Sequence, residues 1–390
     1  MKAKPRILLS LALAAPPLLA ACAGGAQSGG KPIDPGTGNS MQAAVVTRID
    51  YEEALRSAAI KLTGNYPTLA EIKRVRDAAE SSRAGEYEKL LDEYMARPSF
   101  GAQLLSFFRD TYKMGGSDMR GGTQVNFEFA PAFAASLVVN EKPFTDIVTA
   151  TRDTCQNFDE KTGKFTAANC PNQSAVGVLT DAGVQAQFFS SMAFRRARWV
   201  QETFMCRKFP AETAGTPQPR PGGSYTSPWD YGSITGKLNN KNAKIDFQDD
   251  KSIVCANCHT TLNHVAPLFA RFGVNGALTT SIQVKVPIPN EPTATMADWL
   301  PSSETTAWRF GKPAADLPAL GAAIAADPDF GKCLASRVWN WALSRPDVVE
   351  DGAFLTDELA NKLVADLKSN NWNVKKLVRS AFTSDSFIRY

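Results

Sequence analysis

The chain places two of its seven cysteines and one of its two histidines in five consecutive residues, Cys255-Ala256-Asn257-Cys258-His259. At this composition a C-x-x-C-H run arises by chance in about six of ten thousand chains of this length. The pentapeptide therefore constrains whatever fold surrounds it. Three chemistries compete for it: attachment of a c-type haem, a redox dithiol, or half of a zinc site. The compartment in which the chain lives decides between them.

Residues 1–21 read MKAKPRILLSLALAAPPLLAA. Lys2, Lys4 and Arg6 form a positive leader, and the apolar run behind them is broken by Pro16-Pro17. This pattern predicts a secretory signal, too short and too interrupted to span a bilayer. It ends in Leu19-Ala20-Ala21-Cys22, which resembles the bacterial lipobox, so Cys22 is expected to become the lipidated first residue of the mature chain. Several acyl chains on one residue give the stable attachment that a single chain does not. Ala23 rather than an aspartate follows, and by the same resemblance the expected destination is the outer membrane. Residues 22–45 are read as the lipidated cysteine and a tether, since 24–40 are Gly/Ser/Pro-rich with almost no apolar content.

The signal removes three of the 43 basic residues and leaves 40 against 39 acidic ones. Such a near-neutral body, without basic blocks, gives no electrostatic case for nucleic acid. The four cysteines outside the pentapeptide and the lipobox, Cys155, Cys170, Cys206 and Cys333, form an even set in an exported chain and suggest two disulfides. Three connectivities are open. The pairing expected here is Cys155 with Cys170, closing a short loop, and Cys206 with Cys333, tying two distant helices.

Most of the chain carries helical periodicity. Apolar residues recur at helical spacing over 51–62, and Thr68-Leu69-Ala70-Glu71 has capping-box spacing that predicts a helix to about Ser81. Further helices are expected over 86–97, 100–114, 131–139, 142–150, 184–209, 253–272, 317–326, 330–345, 356–370 and 373–382. Pro98 breaks 86–97 from 100–114. Residues 115–124 and 151–183 read as loops, 216–232 as a Pro/Gly linker and 277–310 as irregular. No strongly alternating strand set and no fixed-period repeat is present. The expected class is mainly α: a helical body over 46–215, a haem-binding segment over 216–310 and a C-terminal helical module over 311–390.

The spacing of the pentapeptide suits haem chemistry. On a helical turn Cys255 and Cys258 face the same way, so both thiols can add to one porphyrin, and His259 follows as the proximal iron ligand. A dithiol would call for a thioredoxin-like βαβ surround, and zinc for third and fourth ligands. A disulfide between Cys255 and Cys258 would close a tight, strained loop. The expected cofactor is one covalently bound haem c. His264, five residues on along the same helix, cannot reach the opposite face of that haem and reads as a structural or near-haem residue. Met296 is the first candidate for a sixth ligand, ahead of Met205, Met192, Met114 and Met119; a methionine is more often core filler. Trp229, Phe269 and Phe272 are candidates for packing on the haem or simply for the core.

The segment CANCHTTLNHVAPLFARFGVNG resembles the haem segment of the planctomycete-type cytochrome c domain proteins, large exported proteins. LTGNYPTLAEI (62–72) with ARPSF (96–100), NEKPFTDIVTA (140–150), FRRARWVQETFMCRKFP (194–210) and the stretch 329–387 are similar, in the same order, to the successive modules of that family. One departure stands out. The family's acidic-Pro-Leu-Gly run after the haem histidine is here Asn263-His264-Val265-Ala266. The resemblance implies the helical fold and the haem; it implies no reaction.

Three functions fit these residues. The first is a lipid-tethered monohaem cytochrome passing single electrons to another exported redox protein, and this leans away from an enzyme. The second is a peroxidase- or oxygenase-like haem enzyme with an open iron. The third is a non-catalytic envelope binding protein in which the haem is structural.

Overall fold

The first two helices open where the sequence supplies a partner for their unpaired N–H groups. In the computed structural model, which describes residues 48–173, 175–207, 261–285, 292–300, 304–347 and 355–389 and a short pairing of Pro219–Arg220 with Gly223–Ser224, α1 (Tyr51–Thr63) starts under Asp50. That carboxylate accepts from the N–H groups of Glu52 and Glu53, and the helix closes at Gly64 with φ 72°. The reciprocal Thr68/Glu71 box predicted from spacing opens α2 (Leu69–Arg76).

That helix stops at Arg76 rather than Ser81, and α3 (Glu80–Ala96) begins six residues before the expected position. None of residues 80–85 is buried, so apolar periodicity carried no trace of them. Pro98 occupies the first position of α4 (Pro98–Tyr112), where its missing N–H costs nothing. α5 (Phe129–Val139) packs on α4 and buries every residue from Ala130 to Val138; a helix apolar all round belongs inside a core.

Residues 115–124 are not the expected loop. They hold most of a hairpin, β1 (Ser117–Arg120) with β2 (Thr123–Asn126), in antiparallel register Arg120↔Thr123. Gly121 and Gly122 sit at φ 54° and 78°, the left-handed geometry a two-residue turn demands at both positions. A second hairpin, β3 (Gln156–Asp159) with β4 (Lys164–Ala167), follows the short α6 (Asp146–Thr149) inside the loop-rich stretch. Cys155 precedes it, Cys170 follows it, and the two are disulfide-bonded.

The run 184–209 is not one helix. α7 (Ala182–Gln187) and α8 (Phe194–Phe204) are separated by a turn in which Met192 and Ala193 take φ 63° and 56°. Beyond it, α9 is helical over 261–265 and tightens to a 3-10 turn at Ala266–Phe269, where Pro267 sits. The C-terminal helices are α10 (Leu317–Ala325), α11 (Pro328–Ala342), α12 (Asp357–Ser369), α13 (Val374–Phe382) and a short α14 (Asp385–Ile388). α11 packs against α8, α12 and α13, α13 returns onto α3 and α5, and α14 packs on α1. The described residues are mainly α. Among them no helix is long and apolar enough to cross a membrane.

Candidate functional site

Cys22, Trp229, Cys255, Cys258 and His259 lie outside the described residues, as do the signal, the tether and the Pro/Gly linker apart from its short strand pairing. The described chain reaches Arg207 on one side of the pentapeptide and resumes at Thr261 on the other, two residues after His259. The structure therefore shows the frame on both sides of the motif.

On the far side, α9 is buried and the turn after it packs Phe269 into the core. Thr261, Asn263, His264, Val265, Ala266, Phe269 and Phe272 are buried. His264 Nε2 lies 3.0 Å from Glu304 Oε2, so the histidine that sequence set aside as structural or near-haem has a carboxylate partner inside the protein. Asn263 donates to the Trp299 carbonyl at 3.1 Å, and Trp299 Nε1 donates at 2.8 Å to the carbonyl of Met192, just before α8. Phe269 and Phe272 belong to the main core cluster.

The bend after α9 leaves carbonyls pointing inward, and Arg196 of α8 meets them. Its Nε and Nη2 donate to Gln185 O at 3.0 and 2.6 Å. Nη1 donates to Phe269 O and Phe272 O at 2.8 and 3.0 Å, and Nη2 also to Gly273 O at 3.1 Å. All five N–H groups of a fully buried guanidinium are thereby used on backbone oxygen, and its plane lies over the Phe189 and Phe272 rings. Burial pushes its pKa down to about 9, which still leaves a cation at neutral pH.

On the near side, Cys206 is disulfide-bonded to Cys333 of α11. The next residue, Arg207, binds Asp329 through Nε at 2.9 Å and through Nη2. Asp329 also accepts from Arg309 Nη2 at 2.7 Å, and Arg309 reaches Asp327 at 2.6 Å. Asp327 caps α11 through the Asp329 N–H and accepts from Trp308 Nε1 at 2.9 Å. Burial works to raise the Asp329 carboxyl, and the two guanidinium groups outweigh it, so its pKa falls below the ordinary carboxylate value. Arg337 of α11 closes the end of α8, donating to the Thr203 carbonyl and, at 2.9 Å, to that of Glu202. A cation there offsets the negative end of the helix.

Met296 stands on a 3-10 turn, Met296–Asp298, with its side chain half exposed. Met114, Met192 and Met205 are buried in the core cluster, and Met119 is exposed on β1. Sequence reading did not single out Arg196, Arg207, Arg309, Arg337, Glu304, Asp327 or Asp329. One signal was available for the first: Arg196 sits three and four residues before Trp199 and Val200, on the apolar face of α8. A charge on an apolar stripe marks a buried cation.

Two features bear on whether the chain suits a haem. The four cysteines outside the pentapeptide and the lipobox pair with one another, which leaves the pentapeptide thiols to each other or to a ligand. Several buried polar atoms on either side of the motif find no hydrogen-bond partner among the described residues, among them Gln201 Nε2 and Oε1, Arg207 Nη1 and Thr261 Oγ1. Both are what a covalently attached, partly polar group would use. No protein-family model matches the chain, nor does any curated protein or solved structure.

Proposed function

We propose that the chain is a monohaem c-type cytochrome, tethered through lipid on Cys22 to the bacterial outer membrane, that passes single electrons to another exported redox protein. The pentapeptide carries this reading. Cys255 and Cys258 would hold the porphyrin through thioethers, and His259 would ligate the iron. Bound haem c supplies a one-electron couple, and the protein supplies burial, axial ligation and orientation. The two disulfides support the assignment, because they engage every cysteine that could otherwise compete for Cys255 or Cys258 within the body. Met296 is the candidate sixth ligand. Unlike Met114, Met192 and Met205, its thioether is not locked into the core.

The frame around the motif supports the same reading. α9 enters the core two residues after His259 and is fastened by Arg196, Asn263 and His264 to three other parts of the body. An imidazole held on such a short lead from a rigid element can keep one orientation toward an iron.

The test is the absorption spectrum of the full chain exported from a host that matures c-type cytochromes, taken oxidised, reduced, and reduced with carbon monoxide. The expected result is a c-type spectrum that Cys255→Ala/Cys258→Ala abolishes and carbon monoxide leaves unchanged. A wild-type chain carrying no covalent haem overturns the proposal. A c-type spectrum that shifts with carbon monoxide overturns the six-coordinate form of it and favours a haem enzyme.

A further inference from the structure

The seam between α12 and α13 is not closed. Leu363 and Leu367 of α12 and Leu377 of α13 belong to the core cluster, and they form the floor of a cleft of about 130 Å³. Helix pairs ordinarily fill such a seam with apolar side chains from both faces. Here Asp366 follows Leu363 by three residues and Ser380 follows Leu377 by three, the spacing that stacks a polar group beside an apolar one on one helix face. Asp366, Ser380 and Lys376 are exposed and stand at the rim of the same cleft.

Two opposite charges share this cleft without neutralising each other. Lys376 Nζ donates to Asn370 Oδ1 at 2.9 Å, and Asn370 Nδ2 donates to the Asp366 carbonyl at 2.9 Å. One amide thus spaces the ammonium from the turn of α12 that carries the carboxylate. Lys376 and Asp366 form no ion pair. Among the described residues the Asp366 carboxylate and the Ser380 hydroxyl have no hydrogen-bond partner. An ammonium carries three donors, and Lys376 spends one of them on Asn370. On an open surface these groups would be solvated independently. Around a shared apolar floor they present a cation, an anion and a hydroxyl to one small molecule.

The end of the cleft is fixed in advance. Asn370 and Asn373 both line it, and the residues between them, Asn371 and Trp372, take φ 52° and 57°. Such left-handed geometry costs a bulky residue free energy and persists only where its surroundings impose it. Here Trp372 N–H donates to the Leu367 carbonyl at 2.7 Å, Phe144 N–H donates to the Trp372 carbonyl at 3.1 Å, and the indole packs on Phe330. Walls set before binding spare a ligand the cost of ordering them.

We propose that this cleft binds a free α-amino acid with an aliphatic side chain. Its carboxylate meets Lys376, its ammonium meets Asp366, and its side chain lies on the three leucines. An engineered apolar cavity of about 150 Å³ takes up benzene, so a branched aliphatic side chain suits the size of this one, with the charged head left at the rim. Each end of the zwitterion makes a charge-assisted hydrogen bond; a simple amine or a simple carboxylic acid makes only one. The site belongs to the C-terminal helices and does not depend on the haem.

Ligand-observed NMR titration of the full chain with L-leucine, isocaproate and isoamylamine tests it, the last two being leucine without its ammonium and without its carboxylate. Leucine is expected to bind about tenfold more tightly than either. Asp366→Asn should abolish the preference over isocaproate, and Lys376→Gln the preference over isoamylamine. Both side chains are exposed, so the fold survives either change. Absence of leucine binding, or leucine binding that both variants leave unchanged, overturns the site. Neither result touches the haem assignment, which the absorption spectrum decides.

Discussion

Two regions of this molecule are held together in different ways. In the layer of α1 to α5, closed by α13 and α14, side chains meet as apolar surfaces. Leu55, Leu62, Leu90, Leu91, Phe100 and Leu104 are buried against one another, and the polar links between helices lie mostly at the rim, as in Arg379 with Asp92 and Glu88. From α8 to α11, around the two ends of the pentapeptide segment, directional bonds take over: Arg196 on four carbonyls, Arg337 on two, the chain of Arg207, Asp329, Arg309 and Asp327, and a disulfide. The difference follows from regularity. A helix satisfies its own backbone and needs only an apolar stripe to dock. Irregular chain that is buried must find a donor for each carbonyl elsewhere.

The strongest way to break this contrast is to cut the bridge in the second region. Cys206–Cys333 closes 127 residues and Cys155–Cys170 closes 15. In the chain-entropy account these contribute about 4.9 and 3 kcal/mol. Denaturant unfolding of Cys206→Ala/Cys333→Ala is expected to show the larger loss. A larger loss from Cys155→Ala/Cys170→Ala would contradict it.

Next comes Arg196→Met against Leu55→Ala. Both are expected to cost about 3 kcal/mol, one by leaving carbonyls unpaired and the other by opening a cavity. They differ in where the damage falls. Amide hydrogen exchange should lose protection over 261–273 in Arg196→Met while α1 to α5 keep theirs, whereas Leu55→Ala should weaken α1 to α5. Identical exchange patterns would erase the distinction between the regions.

Asp181 sharpens the comparison through pH. Burial lifts its carboxyl to about 7, against the N–H groups of Val184 and Gly183 that favour the ionised form. The folded value lies above the unfolded one of about 4. Its contribution is thus fully present below pH about 4 and lost as pH rises through about 7. Asp181→Asn should flatten that slope and, at pH 8, exceed the wild type in stability by roughly 2 kcal/mol. A wild-type stability that does not fall between pH 4 and 7 relative to the variant would refute it. The smallest effect expected is that of Tyr87→Phe in the apolar region. It removes one buried hydrogen bond, 2.7 Å to the Phe382 carbonyl, worth about 1 kcal/mol; a loss of several kcal/mol in urea unfolding would show that polar contacts matter equally there.

The same contrast explains what the sequence made legible. Helices with an apolar stripe or a capping box were readable: the Thr68/Glu71 box, the break at Pro98, and α10 to α13 within a few residues. The two disulfides were readable as a count and came out in the expected pairing. Elements that depend on φ or on distant partners were not. The β1–β2 turn rests on two positive-φ glycines, and its Gly-Gly dipeptide was the available cue. The break between α7 and α8 rests on Met192 and Ala193 in a left-handed conformation that no local signal announces. Of the candidate site, the pentapeptide and the structural or near-haem reading of His264 came from sequence. Its buried arginines did not, because partners 18 to 135 residues away along the chain leave no periodic trace.

The two ends of the described body meet: Asp50 N–H donates to the Ile388 carbonyl at 3.0 Å, and Ile49 bridges Arg389 in antiparallel fashion. A pull transmitted through residue 48 therefore loads these contacts first, one after another, as a zipper opens. The next element in the load path is α1, seated on α3 and α4 by apolar packing. The hydrogen bonds described for Arg196, Arg207 and Arg309 attach to neither α1 nor α14. Mechanical strain entering there would be absorbed by peeling and reseating an end of the molecule, and the orientation of α9 would survive it.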